Sequence, residues 1–294
     1  MSIQSLNTNL PSGAAVHYLS SGPDTAPVLL LLHGFPTSCI QYKELITQLA
    51  PSLGGKYRLL APDLPGFGET TVPSNFTYTF AALADVIGEW LDALSITSFS
   101  AYIFDYGAPT AFRLALARPK ALKAIITQNG NAYEEGLGDF WAPLQAWWAT
   151  GDANDAWRNK VRGAALTVEA TKAQYLDGVP RNLVDKVPAS AWEGDYENNI
   201  KGKEDIQLDL FFDYRKNVEL YPRFQQWMRE SGVRVLAVWG KNDIIFTPPG
   251  AEAFKRDVKD TTVVLLDGGH FLLETHVKEV AQEVARFLKR GDAA

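Results

Sequence analysis

With a single cysteine, Cys39, the chain cannot close an intramolecular disulfide, which fits a reducing compartment. A lone thiol packs as a small hydrophobe more often than it reacts. Long apolar runs are missing too: the fully apolar run 28–32 is strand-sized, far short of a membrane span. Residues 1–7 carry neither a basic cluster nor an apolar core, so they do not read as a secretory signal. Positive charge is in the minority, 28 Lys and Arg against 34 Asp and Glu, and no basic cluster is dense enough for a nucleic-acid face. Histidine is scarce, at four residues, which shortens the search for a general base. The expectation is a soluble, cytoplasmic protein with no membrane and no nucleic-acid partner.

What is present is ordinary globular composition, 46% apolar over 294 residues, enough for one large α/β domain with an insertion. Strands are predicted at 28–32, 57–61, 99–104, 124–128, 235–239 and 262–266, with an antiparallel edge strand at 16–20. Helices are predicted at about 39–49, 80–94, 108–117 and 277–288, Pro119 stopping the third. This alternation predicts a mostly parallel sheet with helices on both faces. It breaks between about 131 and 222, where five of the eight tryptophans fall: Trp141, Trp147, Trp148, Trp157 and Trp192. We read residues 132–222 as a helical cap inserted into a core made of residues 1–131 and 223–294. The cap would cover the carboxyl ends of the strands, where open α/β sheets bind ligands. Most of its tryptophans read as the core of a small helical layer, with one or two free to line a pocket.

Chemistry concentrates at strand ends. The run 99–104 ends at Phe104 and is followed by Asp105, Tyr106, Gly107 and a helical pattern. This is the strand, sharp turn and helix of a nucleophile elbow, with an acid in the nucleophile position. Gly107 permits the tight turn, although Ile103 is larger than the residue usual two places before a nucleophile. His270, in Asp267-Gly-Gly-His270, leaves the last strand through two glycines and is the best general base. Asp243, in Gly240-Lys-Asn-Asp243, leaves another strand end and could orient that imidazole, or simply make a turn. The backbone N–H groups of Phe35, in His33-Gly-Phe-Pro36, and of Tyr106 could form an oxyanion hole, with Pro36 holding the turn. His33 reads as structural, and His17 and His276 as surface or packing residues. Asp63-Leu-Pro-Gly-Phe-Gly68 reads as a loop shaping the sheet edge, since it lacks the third glycine of a dinucleotide fingerprint.

Together, His33–Pro36, Asp63–Gly68, Asp105–Ala108, Gly240–Asp243 and Gly269-His270 resemble the epoxide hydrolase and dehalogenase branch of the α/β-hydrolase superfamily. The resemblance spans most of the chain. It implies an α/β-hydrolase fold, no cofactor and no metal, and a small apolar organic substrate with water as the second reactant. It also implies that Asp105 forms an alkyl ester, which water activated by His270 then cleaves, with Asp243 orienting the histidine. In that branch cap tyrosines donate to an epoxide oxygen. Tyr214, in Phe211-Phe-Asp-Tyr214, matches the second of them; the first falls near Phe140-Trp141, with Tyr175 as a substitute. Hydrolysis of an epoxide to a diol is the favoured expectation. Haloalkane dehalogenases place tryptophan after the nucleophile and Asn after His-Gly, where this chain has Tyr106 and Phe35. The Trp141 indole N–H keeps halide binding open. A haloacid substrate is a third choice, because Pro109 stands where an arginine is expected and Arg113 lies further on. A non-catalytic ligand-binding protein of the same fold is the reading from another class. A homodimer through an exposed apolar cap face stays open.

Overall fold

The apolar run Val28–Leu32 is buried at every residue because both faces of its strand are covered. Side chains alternate across a strand, so Leu29 and Leu31 join one apolar cluster while Val28, Leu30 and Leu32 join the other. The computed structural model describes residues 2–292. Its eight-stranded sheet comprises β1 (Gln4–Asn9), β2 (Ala15–Ser21), β3 (Val28–Leu32), β4 (Arg58–Pro62), β5 (Phe99–Phe104), β6 (Leu122–Gln128), β7 (Arg234–Gly240) and β8 (Thr261–Leu266). The spatial order is β1-β2-β4-β3-β5-β6-β7-β8, with β1 and β2 antiparallel to their neighbours and the rest parallel. From β3 the chain crosses outward to β4, and β5 returns on β3's other side. That reversal opens a crevice at the carboxyl ends of β3 and β5.

Helices α1 (Lys43–Leu53) and α11 (Leu273–Asp292) cover one face, and Leu45, Ile46 and Leu49 share a core with Val280, Val284 and Leu288. Helices α2 (Phe80–Ala93), α3 (Gly107–Ala117) and α10 (Pro248–Asp257) contribute Trp90, Phe112 and Phe254 to the core on the other face. Two elements were not expected. Strand β1 is polar and largely exposed, so it shows no apolar alternation; the turn at Leu10–Gly13 pairs it with β2. Helix α10 starts at Thr247 with two prolines in its first turn, a start signal that its short apolar content obscured. Among the described residues, no helix is long and apolar enough to cross a membrane.

Between β6 and β7 lie α4 (Ala142–Ala149), α5 (Asp155–Ala165), α6 (Val168–Leu176), α7 (Ala189–Asp195), α8 (Glu204–Asp213) and α9 (Arg215–Ser231). Residue 222, where the cap was expected to end, is Pro222 inside α9. The later half of that helix packs on the core, with Phe224 stacked on Phe112 at 5.1 Å. Further hydrogen bonds tie the inserted helices down: Gly68 N–H to Asn199 Oδ1 (2.8 Å) and Phe80 N–H to Asp213 Oδ2 (2.8 Å).

The loop after β4 works as expected at the sheet edge. Asp63 accepts from Cys39 N–H (2.7 Å), Glu69 N–H (2.9 Å) and His17 Nδ1 (2.7 Å). His17 is thus a buried partner, the packing alternative of the two expected for it. His17, Cys39 and Asp63 hold ligand-type atoms within 4.8 Å of one another. Burial and Asp63 push the Cys39 thiol up, so it stays protonated beside them.

Asp195, at the end of α7, is buried and accepts from the Tyr175 hydroxyl and from Asn199 Nδ2 (3.3 Å). Burial pushes its carboxyl up to about 7, against those hydrogen bonds. In the unfolded chain the same group ionises near ~4. Between these values the folded state keeps a proton that the unfolded state releases, so stability from this group is present at low pH and lost as pH rises through about 7. Asp195→Asn should therefore raise stability at pH 8 by roughly 1–3 kcal/mol, and by little at pH 4, in thermal or denaturant unfolding. Equal effects at both pH values would contradict this.

Candidate active site

Strand β5 delivers Asp105 into a left-handed turn, φ +46°, at a cost of about 1–2 kcal/mol for a residue with a side chain. Two glycines make room for it. A Cβ on Gly107 would stand 2.1 Å from Leu32 O, and one on Gly34 would stand 2.2 Å from Asp105 Oδ1. The loop after β3, where Phe35-Pro36 is a cis peptide, can therefore lie directly on the carboxylate. Phe35 N–H donates to Asp105 Oδ1 at 2.6 Å, and the Tyr106 amide also stabilises the carboxylate. His33, just before, is the structural residue expected: Nε2 accepts from Leu64 N–H (2.9 Å), leaving Nδ1–H for Gly34 O (3.0 Å).

Asp243 and His270 meet from the ends of β7 and β8. His270 Nδ1 lies 2.8 Å from Asp243 Oδ2. The same oxygen accepts from Asn129 Nδ2 (2.6 Å), and Oδ1 accepts from Ile245 N–H (2.7 Å). A Cβ on Gly240 would stand 2.0 Å from Gly269 O, so only glycine lets these two strand exits touch. His270 is buried between the rings of Phe104 (4.6 Å) and Phe246 (6.0 Å), and its Nε2 has no partner among the described residues. Its Nδ1–H faces the acid, so Nε2 is the nitrogen free to take a proton. A cavity of about 150 Å³ reaches His270 past Phe140, Ala165, Ala173 and Ile245.

The charges at the site are coupled. Burial pushes Asp105 up to about 6, against His270 and the Phe35 and Tyr106 amides. Burial alone would lower His270, but Asp243 and Asp105 raise it above its ordinary value.

An aromatic chamber of packed rings surrounds Tyr214, close enough to Asp105 for the carboxylate charge to act on its phenol. The Tyr214 ring packs on Phe80 (5.4 Å), Tyr106 (5.9 Å), Trp141 (4.4 Å) and Trp148 (6.1 Å). Its buried hydroxyl lies 3.3 Å from the Tyr221 hydroxyl; burial raises both phenols, and the Asp105 charge adds to this in smaller part. Two expectations are corrected. The Trp141 indole N–H donates to Ile245 O (2.9 Å), so Trp141 walls the chamber but has no donor left for a leaving group. Tyr175 stacks on Phe271 (3.8 Å) and gives its hydroxyl proton to Asp195, so it is not a substitute donor.

Three groups escaped the sequence reading. Asn129 holds Asp243; its signal was the Asn129-Gly-Asn131 turn at the end of β6, where Asn129 adopts φ +50°. Tyr221 lies two helical turns beyond Tyr214, a spacing that puts both on one face. The Tyr106 hydroxyl is buried without a partner among the described residues, though only its amide had been considered.

A profile of the alpha/beta hydrolase fold matches residues 27–277, and the chain belongs to that family of hydrolases. It is 46% identical over 274 residues, 92% of each chain, to "Uncharacterized hydrolase YNR064C" of Saccharomyces cerevisiae. Shorter matches reach a haloalkane dehalogenase of Mycobacterium marinum (33% over 116 residues, 39% of this chain and 38% of the other). Another is Epoxide hydrolase 3 of Siraitia grosvenorii (39% over 124 residues, 41% and 36%). Among solved structures, the epoxide hydrolase VrEH1 of Vigna radiata superposes with a TM-score of 0.75 at 22% identity, covering 98% of each chain. The haloalkane dehalogenase DbeA of Bradyrhizobium elkani superposes with a TM-score of 0.76 at 20% identity, covering 99% of each. At these identities the superpositions establish the shared fold.

Asp243→Asn should lower the His270 pKa, since it removes the charge that raises it. NMR titration of the ring measures this; an unchanged or higher value would mean that Asp243 does not act on the imidazole.

Proposed function

We propose that the protein hydrolyses small apolar epoxides to diols through an ester on Asp105, with residues 132–222 acting as a cap over the site. The observation that favours oxygen over halide as leaving group is how the chamber's donors are used. The indole N–H groups beside Tyr214 are occupied, Trp141 by Ile245 O (2.9 Å) and Trp148 by Phe211 O (2.9 Å). Phenol hydroxyls remain, and a phenol can pass a proton to an oxygen that becomes an alkoxide. A haloacid is disfavoured because Pro109 stands where an arginine beside the nucleophile would be expected, while Arg113, with Nη1 buried and unpartnered among the described residues, lies further along α3.

In the first step an Asp105 oxygen attacks a ring carbon, the C–O bond opens, and Tyr214 gives its proton to the departing oxygen. In the second, His270 Nε2 takes a proton from water, and the resulting hydroxide attacks the ester carbonyl of Asp105. The Phe35 and Tyr106 amides hold the oxyanion. Collapse releases the diol, whose second hydroxyl takes the proton from His270. The regenerated carboxyl returns its proton to Tyr214, so epoxide plus water balances the diol. Esterification also removes the Asp105 charge that helps to raise His270. The imidazole is therefore more readily protonated before attack and more fully neutral once the ester exists, when it must accept a proton.

Since burial holds Asp105 near about 6, the acid limb of kcat/KM should break near that value, with activity falling as pH drops and the carboxylate is protonated. His270→Gln should trap the ester, seen as a mass increase on the peptide carrying Asp105. Asp105→Ala should lose at least ~10⁴-fold in turnover, since no nucleophile remains. A paired assay of diol and halide release over small epoxides and haloalkanes, with Tyr214→Phe alongside, tests the leaving group. The reading predicts diol release that Tyr214→Phe slows by about 10²-fold. Halide release without diol release would assign the dehalogenase chemistry named in the shorter matches.

A further inference from the structure

The polar groups beside Tyr214 carry a direction as well as a distance. Tyr214 caps α9, and Tyr221 follows two turns later on the same face; both are buried. Their hydroxyls are 3.3 Å apart, and a pair of phenols can bond in either sense. Asn131 biases that choice. Its amide is clamped by the backbone of Tyr133: Oδ1 accepts from Tyr133 N–H (3.3 Å), and Nδ2 donates to Tyr133 O (2.6 Å). The amide cannot turn over without setting oxygen against carbonyl oxygen. Its nitrogen therefore faces the Tyr221 oxygen, at 3.4 Å, and an amide nitrogen only donates. With Asn131 taking one Tyr221 lone pair, the only acceptor bonded to the Tyr221 hydroxyl among the described residues is the Tyr214 oxygen; donated there, the Tyr221 proton leaves the Tyr214 proton for a group outside the pair.

We infer that Tyr221, oriented by Asn131, is a positioning residue that holds Tyr214 as a donor toward the leaving oxygen above Asp105. This rests on the proposed role of Tyr214. The chain of donors acts in two ways. It keeps the Tyr214 proton from turning toward Tyr221, which would leave the departing oxygen without a donor. It also supplies a hydrogen bond that strengthens as Tyr214 oxygen gains negative charge, in a buried site where such bonds count for more than in water. One turn of chain serves both halves of the reaction. From Asn129-Gly130-Asn131, Asn129 reaches Asp243 behind the base and Asn131 reaches Tyr221 behind the acid.

Tyr221→Phe keeps the ring and removes only the hydroxyl. With a terminal 1,2-epoxyalkane that the enzyme turns over, single-turnover measurements should show ester formation slowed about tenfold, equivalent to about 1.4 kcal/mol, and ester hydrolysis unchanged within about twofold. In a Tyr214→Phe background the same substitution should have no further effect, because its partner is gone. Thermal unfolding of each variant identifies any that lose the fold, and Tyr221→Trp or Tyr221→Leu then replaces Tyr221→Phe in the same cycle. An equal slowing with and without the Tyr214 hydroxyl, slowing of both steps alike, or no slowing at all would overturn the inference. If Tyr214→Phe slows ester formation while Tyr221→Phe does not, the inference fails and the epoxide reading stands. If Tyr214→Phe leaves epoxide turnover untouched, the epoxide reading fails and takes this inference with it.

Discussion

The turn at Asp105 is the constraint around which the rest of the sheet edge is arranged. A carboxylate at φ +46° must be forced out of the strand, and it is held there by a loop that lies on top of it. That contact is possible because Gly34 and Gly107 have no side chains: a Cβ at either would stand about 2.2 Å or less from Asp105 Oδ1 or Leu32 O. The same contact brings the Phe35 amide to 2.6 Å from the carboxylate, so the strain of the turn and the donor that faces it have one origin. Fixing the donor before reaction matters more than its strength in isolation, because nothing then has to reorganise as charge develops.

The electrostatics follow from burial. Asp105, Asp243 and His270 are all buried, so each charge acts on the others with little screening by water. Asp243 accepts from two donors besides the histidine, Asn129 and Ile245 N–H. Asp105 has backbone amides, and its value near 6 leaves it ionised at neutral pH but close to the limit. In the proposed cycle that balance shifts by itself: the ester cancels one of the two negative charges around His270 just when a neutral imidazole is needed.

Most of the scaffold was legible in the sequence because its signals are local. Val28–Leu32 is apolar throughout and Phe99–Phe104 at every position but Ser100, and glycine marks where the chain leaves β7 and β8. Asp105, Asp243 and His270 could be picked out for the same reason, since each follows such a run within four residues. Strand β1 was not legible: its stability comes from its hairpin partner, and its own residues carry no alternation. The donors of the chamber were legible only as residue types. Trp141 and Tyr175 were expected to offer donors, but a sequence does not say where an N–H or O–H points, and both bond to groups brought in from elsewhere, Ile245 O and Asp195. Asn129 and Asn131 were passed over for the converse reason. They sit in an unremarkable turn, and their importance comes from partners about 114 and 90 residues away.

The central claim is that Asp105 itself takes the oxygen of water, and a single turnover in oxygen-18 water tests it directly. With enzyme in excess over epoxide, the account predicts oxygen-18 in the carboxylate of Asp105, read by mass spectrometry of its peptide, and none in the first diol released. Oxygen-18 in the diol, with none in Asp105, would contradict it.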